Sequence, residues 1–274
     1  PVIKCRTSVN NTARDHRLRV LFPTGLMAES AYTETQFDVV ERQISPPRYD
    51  DSTIPENVKQ VIIGAREPEP VTIYPQRTFV DLSNGQWGLA VLNHGLPEVE
   101  VLPEQNTIAL TLFRGVDWIA RPDLLTRIGD AGPLIFCPGA QCLRKMAFQY
   151  AIYPHCGDWQ SGGVVQQADQ FNSRLLVVET DCHPGALAPA GSLIRLDDPS
   201  QQFKVTAVKR SEDGQTLLVR FHNPTAQKLT ASLWSALPVA QAWLADLAEN
   251  PLESIPVHEG HTLQVAAAPH KILT

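Results

Sequence analysis

Residues 79–101 read FVDLSNGQWGLAVLNHGLPEVEV. Two apolar runs flank Ser83-Asn84-Gly85, and a second turn signal follows at Asn93-His94-Gly95. Asn tolerates the left-handed backbone and Gly has no Cβ to oppose it, so SNG predicts a tight hairpin between two strands. On that reading Leu89, Val91, Val99 and Val101 face a core, and His94 is the polar side chain that stands out.

The same punctuation runs through the chain. With 22 prolines and 16 glycines among 274 residues, short β-rich runs recur at fairly regular intervals, as in sandwiches and barrels. Strands are expected at Val2–Val9, His16–Phe22, Phe37–Arg42, Phe79–Leu82, Gly88–Leu92, Glu98–Leu102 and Thr107–Phe113. Further runs lie at Ala147–Tyr153, Leu175–Thr180, Phe203–Val208, Thr216–Phe221, Leu229–Leu233 and Thr262–Val265. Glu212-Asp213-Gly214 marks a second hairpin. About a dozen strands are too many for one small sandwich, so the fold class is all-β, a large two-sheet sandwich with one or two short helices.

Helical spacing is confined to two places. In 163–175, Val164, Ala168, Phe171 and Leu175 recur at steps of four, three and four. In Pro238–Asn250, Val239, Trp243 and Leu247 share one helical face. The proline-rich stretch 44–56 (ISPPRYDDSTIPE) reads as a long surface loop.

Composition narrows the function. Hydrophobic residues make up 43% and charged residues 19% of the chain, with a net charge of −6, which describes a globular protein. Basic residues are scattered singly, which argues against a nucleic-acid partner. No apolar run reaches the roughly 20 residues that cross a bilayer. Five cysteines, an odd number without CxxC spacing, suit small core thiols in a cytoplasmic setting better than a disulfide framework or a structural metal. Neither end reads as a finished fold: PVIKC is already strand-like and PHKILT stops in a strand-like run.

Motifs for chemistry are scarce. HExxH, GxSxG and a P-loop are absent. His258 and His261 read as loop histidines, and Cys142 with His155 as a nucleophile and base has no supporting pattern. Asp117, Asp123, Asp130 and Asp158 are candidates for a carboxylate pair, although turn capping is the commoner use of such residues. Arg114, Trp118, His155, Asp158 and Trp159 stand at strand ends. Aromatic rings can stack on a pyranose while guanidinium and carboxylate groups take its hydroxyls. The plainer alternative makes the tryptophans plugs of the sandwich end and pairs Arg114 with Asp117.

Several long stretches, in order, resemble one family: HRLRVLFPTGL (16–26), FDVVERQI (37–44), residues 79–101, LTLFRGVDW (110–118), YAIYPHCGDW (150–159), ADQFNSRL (168–175) and FKVTAVKRSEDGQTLLVRFHNPT (203–225). With the closing PHKILT, they look like the C-terminal β-domain of family 38 glycoside hydrolases, the α-mannosidases. The bacterial branch that includes mannosylglycerate hydrolase is nearest. The resemblance implies that residues 1–274 form one C-terminal β-sandwich domain, galactose mutarotase-like, of a larger retaining α-mannosidase acting on α-mannosides.

The same resemblance implies that the nucleophile, the acid/base and the active-site zinc belong to a catalytic domain upstream. No catalytic or metal-ligating residue and no cofactor is therefore expected within this chain. The partner is the catalytic domain of the same polypeptide, and an apolar face that it would cover could drive assembly into a homo-oligomer. Arg114 matches a cleft arginine of some members, and Trp118 beside it is the other substrate-binding candidate. The motif often reads N-D-G or N-R-G at 93–95 in the family, so the resemblance assigns His94 no role. A stand-alone carbohydrate-binding sandwich is the alternative from a different class, and a mutarotase-like enzyme ranks below both.

Overall fold

The computed structural model describes residues 2–46, 52, 55, 71–124, 127–128, 132–185 and 188–274. Two compact units emerge: Pro1–Thr33 with Val40–Val164, and Glu34–Val39 with Val165–Thr274. Antiparallel sheets dominate both, so the all-β expectation holds.

Unit 1 is built on two sheets. One has the order β1 (Ile3–Asn10), β12 (Lys145–Cys156), β7 (Trp87–Asn93), β6 (Phe79–Ser83), β3 (Ser30–Thr35) and β4 (Asp38–Gln43), the tip of the last hairpin clustering with unit 2. The other runs β2 (His16–Pro23), β9 (Thr107–Gly115), β8 (Glu98–Leu102) and β5 (Ile73–Pro75). A short pair, β10 (Asp123–Leu124) and β11 (Arg127–Ile128), lies in the β9–β12 connection.

The opening stretch forms as its turn chemistry requires. β6 and β7 pair Phe79 with Leu92 and Ser83 with Gly88. Gly85 takes φ 84°, and Oδ1 of Asn84 accepts the N–H groups of Gln86 and Trp87. Val80, Leu82 and Val91 of the first sheet meet Val99, Val101, Ile108 and Leu110 of the second in one core. Alternation explains β8, where Val99 and Val101 point inward and Glu98 and Glu100 outward. Leu89, expected in the core, is only half-buried. Its neighbours Trp87 and Pro154 help line a cavity of about 320 Å³ there.

Unit 2 holds a sheet β13 (Ile194–Asp197), β16 (Leu229–Ser235), β20 (Thr262–Ala267), β19 (Val257–His258) and a sheet β14 (Lys204–Arg210), β15 (Leu217–His222), β21 (Ile272–Leu273). Phe221, Ala231, Val265, Ala267 and Leu273 fill its core. The predicted turn at 212–214 joins β14 to β15.

The helical stripe in 163–175 becomes α1 (Val164–Asn172), shorter than its apolar spacing suggests, with Val164 and Ala168 buried. Pro238–Asn250 is not a helix: β17 (Ala242–Ala245) pairs with β18 (Pro251–Ile255). Asp246 closes the turn between them by accepting the Asn250 N–H at 2.9 Å; a four-residue apolar run fits either period, and the turn chemistry decides it. Leu175–Thr180, expected as a strand, joins no sheet. Most of the proline-rich stretch 44–56 lies outside the described residues, as does Asp130. Among the described residues, no helix is long and apolar enough to cross a membrane.

Candidate functional site

The outward face of the β2–β9–β8 sheet carries a charged ladder. Arg17 sits opposite Arg114 across the β2–β9 pair. Glu98 meets Arg17 at 3.3 Å and Arg114 at 3.5 Å, and accepts the Thr111 hydroxyl at 2.7 Å. Glu100 pairs with Arg17 at 3.6 Å and with Arg19, and accepts the Thr72 hydroxyl at 2.7 Å. Three guanidinium groups thus face two carboxylates. The Arg114 side chain is the most open of the three, 63% exposed against 29% for Arg17 and 24% for Arg19. Its planar fork has donors to spare for an acceptor-rich ligand. The Arg114–Asp117 pairing considered from sequence does not form; β8 supplies the carboxylate instead.

Directly after β9 the chain leaves the sheet. Trp118 forms an isolated antiparallel bridge with Phe136, reinforced by Ile119 N–H to Ile135 O at 3.1 Å. The two rings lie 5.3 Å apart, tilted by 55°, with Trp118 37% and Phe136 54% exposed. Val116, Ile119, Leu134 and Ile135 are exposed around them. An aromatic pair in an exposed apolar excursion, following an open guanidinium, can stack on a sugar ring or dock on another protein surface.

His155 belongs to a different cluster. Its Nε2 donates to Oδ1 of Asp81 at 2.7 Å, with both side chains buried. The ring lies between two glycines: a Cβ at Gly88 would sit 2.2 Å from Cε1, and one at Gly162 2.3 Å from Nδ1. Tyr153 stacks on the ring at 5.6 Å and donates its hydroxyl to Gly162 O. Burial works against the imidazolium, but the hydrogen bond and charge of Asp81 outweigh it and raise the His155 pKa. Burial likewise raises the Asp81 pKa, against the pull of His155. With its ring committed to Asp81, His155 is no base for Cys142, which caps a 3-10 turn at φ 51°.

The neighbouring candidates serve the same loop. Burial would raise the Asp158 pKa, but bonds from the Ser161 hydroxyl and N–H hold it below the usual carboxylate value. Trp159 is buried, its ring 6.3 Å from Tyr32, so it plugs the sandwich rather than presenting a platform. Asp123 clamps Arg121 at 2.6 Å on the surface. His261 gives Nδ1 to a bond with Ser235 O in its turn. All five cysteines are free. Among the described residues, no group of three or more His, Cys, Asp or Glu side chains could hold a metal ion.

Of the five residues singled out at strand ends, Arg114 and Trp118 are therefore presented outward, while His155, Asp158 and Trp159 fix a loop. Sequence did not point to Glu98, Phe136 or Asp81. Asp81 alone left a usable signal, a carboxylate inside the apolar run FVDL, which demands a partner once the strand is buried on both faces.

Known proteins share this architecture. Residues 1–123 match the glycosyl hydrolases family 38 C-terminal domain, and residues 202–274 its C-terminal beta sandwich domain. A putative mannosylglycerate hydrolase of Halalkalibacterium halodurans is 26% identical over 99% of this chain. Human alpha-mannosidase 2C1 is 26% identical over 92%. The crystal structure of an alpha-mannosidase from Enterococcus faecalis V583 superposes on 99% of the chain with TM-score 0.74 and 29% identity. The chain spans only 26%, 20% and 27% of the lengths of these three proteins. With two C-terminal models of one family matched in order, and relatives aligned over 92–99% of this chain, the chain belongs to glycosyl hydrolase family 38 as its C-terminal β region.

Proposed function

We propose that residues 1–274 are the C-terminal β part of a retaining α-mannosidase, forming one wall of its substrate cleft and performing no chemistry alone. The observation that carries this is the exposed Arg114 guanidinium, steadied by Glu98 and followed by the Trp118–Phe136 pair. Arg114 takes sugar hydroxyls through its fork, and Trp118 offers a face for the pyranose. The names of the relatives support an α-mannoside as the substrate.

Among the described residues, no cluster of His, Cys, Asp or Glu side chains fits a zinc site. The zinc, the nucleophile and the acid/base of this chemistry are assigned to the region upstream, which is the partner of this chain within one cytoplasmic polypeptide.

The test is hydrolysis of an aryl α-mannoside by the polypeptide that includes the upstream region, with residues 1–274 alone as comparison. Turnover by the longer polypeptide only, with a raised KM in Arg114→Ala, is the expected result. Turnover by the isolated chain would overturn the division of labour. An unchanged KM in Arg114→Ala would remove Arg114 from the cleft.

A further inference from the structure

Leu175, Leu176, Val177 and Val178 are 93, 93, 87 and 83% exposed. They follow α1 and lie in backbone that joins no helix or strand. Near-complete exposure of four residues in a row means that the described residues cover none of these side chains. Drawn out as a strand, the run would point them alternately to two opposite faces, both uncovered. The composition opposes that state: Leu-Leu-Val-Val is apolar, and its valines favour strands. An uncovered run of this kind is a pairing and aggregation hazard that folded proteins normally cover.

The nature of the cover follows from geometry. A second copy pairing edge to edge would satisfy the backbone of this segment but leave both side-chain faces in water. Covering two faces takes layers on either side of it, as in a strand inserted into a slot. The relatives carry a region about three times the length of this chain that residues 1–274 do not contain. Within one polypeptide, such a surface is available at high effective concentration. Arg174 precedes the run, and Glu179 and Asp181 follow it. Asp181 is almost fully exposed, its side chain 95% accessible, and 3.7 Å from His183.

We infer that Leu175–Val178 is an insertion strand. In the complete polypeptide both of its faces are covered by an apolar slot in the region upstream of residue 1, with a basic group of that region meeting Glu179 and Asp181. The inference rests on the reading of this chain as one part of a longer enzyme.

Hydrogen exchange read by mass spectrometry tests it, on the peptide spanning Arg174–Asp181. In the polypeptide with its upstream region, exchange should be slower than in residues 1–274 alone by about 100-fold or more, at any protein concentration. Leu176→Asp in the longer polypeptide should return the peptide to fast exchange. The comparison of unsubstituted proteins stands even if that variant fails to fold. Equally fast exchange in both proteins would overturn the inference, as would protection of the isolated chain that grows with concentration and so reports a second copy. Hydrolysis of an aryl α-mannoside on the same samples separates the two readings. Turnover with an unprotected peptide overturns the insertion alone, and a protected peptide without turnover overturns the enzymatic reading alone.

Discussion

His155 and Asp81 form a buried pair, Nε2 to Oδ1 at 2.7 Å, that ties β12 to β6 across β7. The two residues are 74 apart in sequence and belong to strands that are not neighbours in the sheet. Room for the ring to cross comes from Gly88 on the intervening strand β7. The pair therefore anchors the start of the 156–163 loop to the middle of the sheet, and its role is structural.

Removing one partner leaves the other buried without its counter-charge. Asp81→Ala or His155→Ala should each destabilise unit 1 by about 3–5 kcal/mol. Urea unfolding would show this as a lower midpoint. A double variant should lose less than the sum of the two single losses, because the residues act as a unit.

The pair also sets a pH dependence. Both groups have folded pKa values above their ordinary ones, 6.5 for His155 and 3.8 for Asp81. A raised folded pKa stabilises while the proton is held, so the contribution is fully present below the unfolded value and is lost as pH rises through the folded one. For His155 the loss falls above 6.5. The stability difference between the wild type and an Asp81→Asn/His155→Gln variant should shrink as pH is raised through that range. Thermal melts of both proteins across the range measure it, and a difference that grows toward alkaline pH would contradict the assignment.

Gly162→Ala tests the slot around the ring. The added Cβ would stand 2.3 Å from Nδ1 of His155 and 2.9 Å from Asp158 O. Neither a buried ring nor a backbone carbonyl can retreat cheaply. A loss of about 1–3 kcal/mol is expected, as for other overpacked sites. Gly139→Ala, where no atom lies within 4 Å of the new Cβ, is the control and should change the melting temperature little.

Local chemistry made much of the fold legible. Asn84-Gly85 and Asp213-Gly214 announced their hairpins, and alternation in β8 announced which side of Glu98 and Val99 faces the core. The errors arose where short-range pattern meets a tertiary decision. Val239, Trp243 and Leu247 keep helical spacing, yet the pairing of β17 with β18 overrides it. Leu175–Thr180 has the residues of a strand and no sheet to join among the described residues. The candidate site was half legible for the same reason. Arg114 and Trp118 could be picked by residue type at the end of an apolar run, but Glu98 and Phe136 come from distant segments and touch them only in the folded chain.

Arg114→Ala should separate binding from folding. Its guanidinium is largely exposed and its bond to Glu98 is a surface ion pair, so stability should change by no more than about 1 kcal/mol. In the polypeptide with its upstream region, KM for an aryl α-mannoside should rise by about 10- to 100-fold, the range for losing a charged hydrogen bond. Arg114→Lys should recover little of this, because an ammonium group cannot reproduce the fork. Equal losses of KM and of melting temperature would instead mark Arg114 as structural.

Lys204 offers the corresponding test in unit 2. Its ammonium group is almost fully buried, paired with Glu34 and, at 2.7 Å, with Asp169 of α1. Glu34 is itself buried, so Lys204→Met should remove the lysine counter-charge of a buried carboxylate and destabilise the unit by about 3–5 kcal/mol. Adding Glu34→Gln should restore much of that stability, since the cost lies in the carboxylate's lost counter-charge rather than in the lost packing of the Lys stem. The two variants are distinguished by chemical denaturation at neutral pH. If Lys204→Met alone unfolds no more easily than the wild type, the cluster contributes to positioning α1 and not to stability, and the exchange protection of Val165–Asn172 should fall instead.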